Sequence, residues 1–494
     1  MEYVVGIDIG TGSVKAVAVT QAGKSFEVSQ HHYSFKAPQP GYHEQNPEDI
    51  WAAFVLSLEH LLQEIGHPPN AICLSSAMHS VIAVNENGKA LAPMITWADN
   101  RASAIAQNLR TSPEGLAIYK ATGTPLHAMS PLCKLIWIRE NNPELFQKTH
   151  RFISIKEYIW HKLFKEFQVD HSIASCTGLF AIDELTWHQK ALELAGITNE
   201  RLSAPVPNNY NRKFKGHSAI NFLTKGTPVF IGASDGCLAN LGSMANKPGV
   251  AVMTIGTSGA IRMANNRPLP NEKAMTFSYI LDEETFICGG PINNGGLALQ
   301  WWLKNMNDMN LTDNAYKQFF QSVKEVPAGS KGLLFLPYLT GERAPIWDSE
   351  SCGTFFGVNL QHERKHFSRA VIEGICYAMR NVLEALEENA TPITHIHISG
   401  GFVKSKVWVQ ILADITGKNL VLVQTDDASA VGAAFLAMKS LGLLEAYPKA
   451  NLKELKIVVP NNSNTEVYSQ NFNIFKKLYA DLKDTMHQLH QLNR

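Results

Sequence analysis

The sequence predicts an α/β protein made of two similar domains, and three observations carry that reading. Strand-like apolar runs alternate with helical stretches in both halves of the chain. A strand, an Ile-Gly-Thr turn of small residues and a second strand open the chain at 3–17 (YVVGIDIGTGSVKAV). The same order returns at 249–263 (GVAVMTIGTSGAIRM). Finally, 494 residues are too many for one hydrophobic core. The break at Lys247-Pro248-Gly249 places the boundary, giving domains 1–247 and 248–494 with a ligand cleft expected between them.

The elements follow from local chemistry. Residues 4–19 read as strand, Gly/Thr/Ser turn and strand. Asn46 to Ile65 reads as a helix, with Asn46 as cap, Pro47 in the first turn, and Glu48 and Asp49 at the positive end of the dipole. Ala71 to Leu74 and Val81 to Val84 read as strands around a Ser/Met/His segment. Pro131 to Ile138 reads as an amphipathic helix and Arg151 to Leu163 as another. Residues 170–221 read as irregular, marked by Pro205, Pro207, Asn208, Asn209 and Asn211. A buried strand, Pro228 to Gly232, runs into Ser234-Asp235-Gly236, and LANLGSMA continues as a helix. In the second half GGLALQWWL reads as a helix, HIHISGGF as a strand ending in two glycines, and Asn419 to Val423 as a strand. Ala428 to Leu441 reads as a small-residue helix able to lie close on a sheet, and the stretch from Thr465 as a surface helix.

Composition narrows the function classes. Lys plus Arg and Asp plus Glu each number 44, a balance that argues against nucleic-acid or membrane-surface partners. Hydrophobic residues at 45% and charged ones at 18% are ordinary for a globular protein. The seven cysteines are scattered without a C-x-x-C pair, which suits a reducing compartment rather than a disulfide framework or zinc site. No basic segment followed by an apolar run opens the chain, and no apolar stretch of about 18 residues occurs, so a soluble cytoplasmic protein is expected.

The motifs point to phosphate and sugar chemistry. In Asp8-Ile9-Gly10-Thr11-Gly12-Ser13-Val14-Lys15, the glycines let backbone approach a ligand, the hydroxyls add donors, and Asp8 could hold Mg²⁺. Read alone, the turn serves a plain β-hairpin equally well. The dinucleotide pattern fails because Lys15 stands where its third glycine belongs. Walker A fails because Ala18 stands where Gly23-Lys24-Ser25 would need a glycine. Thr254-Ile255-Gly256-Thr257-Ser258-Gly259 is a second small-residue turn, and two such hairpins could clamp a triphosphate. Asp235 follows a buried strand, where it could act as a general base or merely form a turn. Met78-His79-Ser80 and Trp97-Ala98-Asp99-Asn100-Arg101 supply the aromatic face and polar groups that a sugar site needs, although ordinary surface Asp and Arg beside a core Trp would look the same. His395 and His397 read as structural.

Two longer patterns carry a family resemblance. Met129-Ser130-Pro131-Leu132-Cys133-Lys134-Leu135-Ile136-Trp137 resembles the first signature of the FGGY carbohydrate kinases. Gly353-Thr354-Phe355-Phe356-Gly357-Val358, with His366-Phe367 and Ala370-Val371-Ile372-Glu373, resembles the second. The likeness runs from about Tyr3 to Leu441. It implies two ribonuclease-H-like domains of the actin-like ATPase fold with a catalytic cleft between them, acting on ATP with Mg²⁺. Carried over by motif, Asp8, Gly10, Thr11, Gly12, Ser13 and Lys15 resemble the first phosphate loop, with Asp8 near the metal. Thr254, Gly256, Thr257 and Ser258 resemble the second. Ser399, Gly400 and Gly401 resemble the adenosine motif, with Gly296 to Gln300 near the adenine. Asp235 takes the place of the catalytic base and a substrate contact, and Met78, His79, Trp97, Asp99 and Arg101 match sugar-facing positions. Gly12 departs from the family, where Thr is commoner.

Segments such as SSAMHSVIAV, ITWADNR and LTGERAPIWD look closest to the gluconate-phosphorylating branch. The alternatives are a kinase for xylulose, ribulose or a polyol, and a non-catalytic sugar-binding protein on the same scaffold. His79, Arg101, Lys134, Lys156 and Arg343 are candidate cations for the carboxylate of a sugar acid. The implied partners are a sugar acid and ATP, with no nucleic acid, no membrane and a homodimer as the assembly.

Overall fold

YVVGIDI is apolar at nearly every position, the pattern of a strand covered on both faces. In the computed structural model, which describes residues 2–307, 309–423 and 427–492, it forms β1 (Tyr3–Ile9). β1 pairs antiparallel with β2 (Ser13–Thr20), which pairs antiparallel with β3 (Ser25–His32). On its other edge β1 runs parallel to β4 (Ala71–Ser76). The edge strand β5 (Asn211–Lys213) pairs with β6 (Pro228–Ser234), which is parallel to β4, giving the order β5-β6-β4-β1-β2-β3.

Pleating sorts the side chains into two cores. Val5, Ile7 and Ile9 meet Ile50, Phe54, Leu58 and Leu61 of α1 (Pro47–Ile65) on one face. Val4, Val17 and Val19 meet Leu238, Leu241, Ala434 and Phe435 on the other. Each fully buried large apolar side chain contributes about 1.5–3 kcal/mol. Asn46 caps α1 by accepting from the Glu48 amide at 3.2 Å, as predicted.

The second sheet repeats this wiring. β7 (Val250–Ile255) pairs antiparallel with β8 (Gly259–Asn265), beside which lies β9 (Thr285–Ile292). On its other edge β7 runs parallel to β10 (His395–Ser399), which runs parallel to β11 (Asn419–Leu422). β12 (Lys456–Val458) pairs antiparallel with β11. The contacts divide the chain into two compact units. One comprises Met1–Asn246, Ala264–Cys288 and Asp427–Lys449, the other Lys247–Met263, Gly289–Asp426 and Ala450–Arg494. Among the described residues no helix is long and apolar enough to cross a membrane.

Four local expectations change. Residues Arg151–Ile153 form a strand, and the helix begins only at Ile155. A capping box sets that start: Ser154 Oγ accepts from the Glu157 amide at 3.3 Å and Glu157 Oε2 accepts from the Ser154 amide at 2.6 Å. The helix expected from Pro131 is α2 (Pro131–Asn141). It is buried on most of its surface rather than amphipathic, because even Lys134 finds partners inside. The irregular stretch 170–221 contains the helices His171–Ser175 and Gln189–Ala195. The helix at GGLALQWWL passes into a π-turn over Trp302–Met306.

Candidate active site

Three parallel strands end together in the first unit. Ile9 is in register with Ser76, and Ser76 with Ser234, so the residues that follow these strands share one sheet edge. Asp8 lies one position before the end of β1. Asp235 comes immediately after β6 and opens α3 (Asp235–Gly242), where Ser234 caps by accepting from the Cys237 amide at 3.4 Å. Ser75 Oγ donates to Asp8 Oδ1 at 2.9 Å. Burial, then the negative charge of Asp235, pushes the Asp8 carboxyl up to about 7. A buried carboxylate in the field of a second acid is a hard-oxygen donor that a divalent cation relieves, so Asp8 fits Mg²⁺.

The turn between β1 and β2 has its carbonyls tied down. Tyr33 donates its hydroxyl to the Gly10 carbonyl and its amide to that of Gly12 at 3.1 Å. Gln45 Nε2 donates to the Thr11 carbonyl at 2.7 Å. In a trans peptide the N–H points opposite to the C=O, so the amides of Thr11, Gly12 and Ser13 are turned away from those partners as a row of donors. Trp97 Nε1 donates to Thr11 Oγ1 at 2.8 Å, joining a sugar-facing candidate to this turn. Ser13 Oγ accepts from Gln30 at 2.8 Å. Lys15 is committed elsewhere: its ammonium stands 2.7 Å from Asp427 Oδ1.

The sugar-facing candidates divide. Met78 is half-buried in the turn after β4. His79 takes φ 67°, with Nδ1 2.7 Å from the Cys176 carbonyl, which makes Nδ1 the protonated nitrogen, and with Nε2 3.4 Å from the Tyr279 hydroxyl. Asp99 is fully buried and reaches no open surface. It holds Arg101 through Nε and Nη2 at 2.8 Å each and accepts from the His43 amide at 2.7 Å. Arg101 also donates to Glu44 at 2.6 Å and lies 3.9 Å over the Tyr42 ring, so its charge is already matched. Of the other candidate cations, Lys156 pairs with Asp170 at 2.8 Å, both buried. Lys134 donates to two backbone carbonyls. Arg343 Nη2 donates to the Ile292 carbonyl at 3.0 Å.

The second unit carries a cavity of about 810 Å³. Gly256 and Thr257 line it from the second turn, Gly296 and Gln300 from α4 (Gly296–Trp301), and Gly401 from beyond β10. The amides of Gly296 and Leu297 hold the carbonyls of Gly256 at 2.7 Å and Thr257 at 3.0 Å, and the Gly256 amide donates to the Ser258 carbonyl at 2.8 Å. Thr254, Ser258, Ser399 and Gly400 do not line it. Thr254 Oγ1 is 3.3 Å from Ser399 Oγ on the adjacent strand. Gly400 has φ 108°, and a Cβ there would come 2.6 Å from the Ile255 carbonyl.

Sequence reasoning missed the aromatic wall of this cavity: Tyr316 and Phe320 of α5 (Asp313–Lys324), with Phe402 and Trp408. The i, i+4 spacing of Tyr316 and Phe320 was a usable signal. Ser75, Tyr33, Gln45 and Asp427 were also missed, and no local signal announces them.

Residues 3–242 match the model of the N-terminal domain of the FGGY family of carbohydrate kinases, and residues 251–441 match its C-terminal domain. A gluconokinase of Bacillus licheniformis is 40% identical over 457 residues, covering 90% of this chain and 89% of that protein. The crystal structure of gluconate kinase from Lactobacillus acidophilus superimposes with a TM-score of 0.93 at 31% identity, covering 99% of both chains. That of a ligand-bound xylulose kinase from the same organism gives 0.93 at 31%, covering 99% of this chain and 100% of that one. With both domain models matched and these relatives aligned over nearly their whole lengths, the chain belongs to the FGGY family of carbohydrate kinases.

Proposed function

We propose that this kinase phosphorylates D-gluconate at its primary hydroxyl, using ATP and releasing ADP and 6-phospho-D-gluconate. The observation that carries the substrate is the 40% identity to a gluconokinase over 90% of the chain. The observation that supports the chemistry is the placing of Asp8 and Asp235 near the ends of β1 and β6, the two strands that flank β4.

In this reading the N-terminal domain, 1–247, supplies the sugar site, the first phosphate loop and the base. The C-terminal domain, 248–494, supplies the second loop and the adenosine site. Asp235 Oδ accepts the proton as the hydroxyl oxygen bonds to the γ-phosphorus, while the bond from that phosphorus to the β–γ bridging oxygen breaks. The donor row of Thr11, Gly12 and Ser13, and its counterpart at Thr257 and Ser258, meets charge on the phosphoryl oxygens. Asp8 would hold Mg²⁺, which when bound offsets phosphate charge. His79 and Trp97 orient the sugar, with Met78 beside them. Asp99 supports Arg101 from beneath. A homodimer in the cytoplasm is the proposed state of the protein.

A coupled ADP-release assay over aldonates, ketoses and polyols tests the substrate. Gluconate should show the highest kcat/KM. The xylulose kinase likeness makes D-xylulose the second reading, and a preference for it would overturn the first.

A further inference from the structure

The two turns assigned above to the sugar are held from beneath by one side chain. Lys134, on α2, is fully buried, and its ammonium donates to the carbonyl of His79 at 2.6 Å and to that of Thr96 at 2.7 Å. Both carbonyls lie just outside the sheet ladders: β4 ends at Ser76, and the short strand Met94–Ile95 ends one residue before Thr96. Asp99, the carboxylate acting on the lysine's charge, is itself bound to Arg101. Burial pulls the ammonium down to about 7, a sign of how dry its surroundings are. Packing does not explain such a group, since a methionine fills a similar volume without a buried charge. His79 meanwhile holds φ 67°, which a residue with a side chain keeps only when its surroundings impose it.

We propose that Lys134 is a positioning residue for the acceptor sugar. By tying His79 to Thr96 it fixes the spacing between the Met78–His79 turn and the Trp97–Arg101 turn, and so sets sugar affinity without touching the sugar. This rests on the reading of those turns as the sugar site.

The test is Lys134→Met in the full chain, assayed with whichever sugar the panel shows to be turned over best, so that an error in the substrate leaves it intact. The KM for that sugar should rise roughly 10- to 100-fold while the KM for ATP stays within about twofold. Lys134→Gln, which keeps an N–H donor group on a shorter side chain, should recover part of the loss. An unchanged sugar KM in folded Lys134→Met overturns the proposal, and so does an equal rise in both KM values. If neither variant folds, hydrogen exchange on the wild type decides. Sugar should slow exchange in 77–81 and 94–101 together, and a response in one segment alone or in neither overturns the proposal.

Discussion

The two glycine turns share a pattern and differ in what holds them. Asp8-Ile9-Gly10-Thr11 and Thr254-Ile255-Gly256-Thr257 stand at matching places in matching hairpins. In the first, side chains from elsewhere (Tyr33 and Gln45) secure the carbonyls. In the second, the backbone amides of Gly295, Gly296 and Leu297 do so. The first turn carries an acid where the second carries a threonine. An acid in the field of Asp235 suits the chemical step and its cation, whereas a neutral turn held by backbone amides suits binding of the nucleotide's phosphates.

The sharpest way to break this contrast is at Asp235. Asp235→Asn should lower kcat by about 10²–10⁴-fold and leave the KM for ATP nearly unchanged, as steady-state ADP release would show. A comparable loss in ATP binding would mean that the chemistry and nucleotide roles are not divided as drawn.

Substitution within the turns should separate them next. A Cβ on Gly296 would lie 2.7 Å from the Gly256 carbonyl, a backbone atom that cannot swing aside, while one on Gly12 meets nothing within 4 Å. Gly296→Val should raise the KM for ATP by roughly tenfold or more, since about 1.4 kcal/mol already makes a factor of ten. Gly12→Thr should stay within about threefold of the wild type in kcat, with its melting temperature little changed.

The last effect is one of pH, and it is read in stability rather than in catalysis. Asp8 binds its proton up to about 7 in the folded chain, against 3.8 ordinarily. Between those values the folded state holds more protons than the unfolded one. Stability without metal or nucleotide should therefore fall as pH rises from about 4 to 7 and level off above. Asp8→Asn should flatten that slope in thermal melts, whereas Thr254→Ala should leave it in place.

Much of this was legible in the sequence for a physical reason: turns and caps are local. The hairpins, the Asn46 cap and the strand that runs into Asp235 each depend on a few consecutive residues. The Ser154–Glu157 box is equally local, but the apolar run around it hides where the helix starts. Burial was not legible. Asp99, Arg101 and Lys134 look like surface polar groups, and only the partners that fold against them make their burial tolerable. The pairing of Lys15 with Asp427 spans 412 positions, so no window along the chain could contain it.

The helix Ala428–Ser440 gives that distance a consequence for biogenesis. Ser429 Oγ bonds the backbone carbonyl of Asp235 at 3.2 Å, and Ala434 and Phe435 complete the core under the first sheet. A ribosome extends the polypeptide from its N-terminus, so the proposed base cannot be seated until the helix at 428–440 has been made. A fragment ending near the first unit crossing, at Asn246, would expose an apolar sheet face and lack a finished site. The first unit of the kinase therefore matures only after that helix is made, and a cut at Asn246 would leave it unfinished.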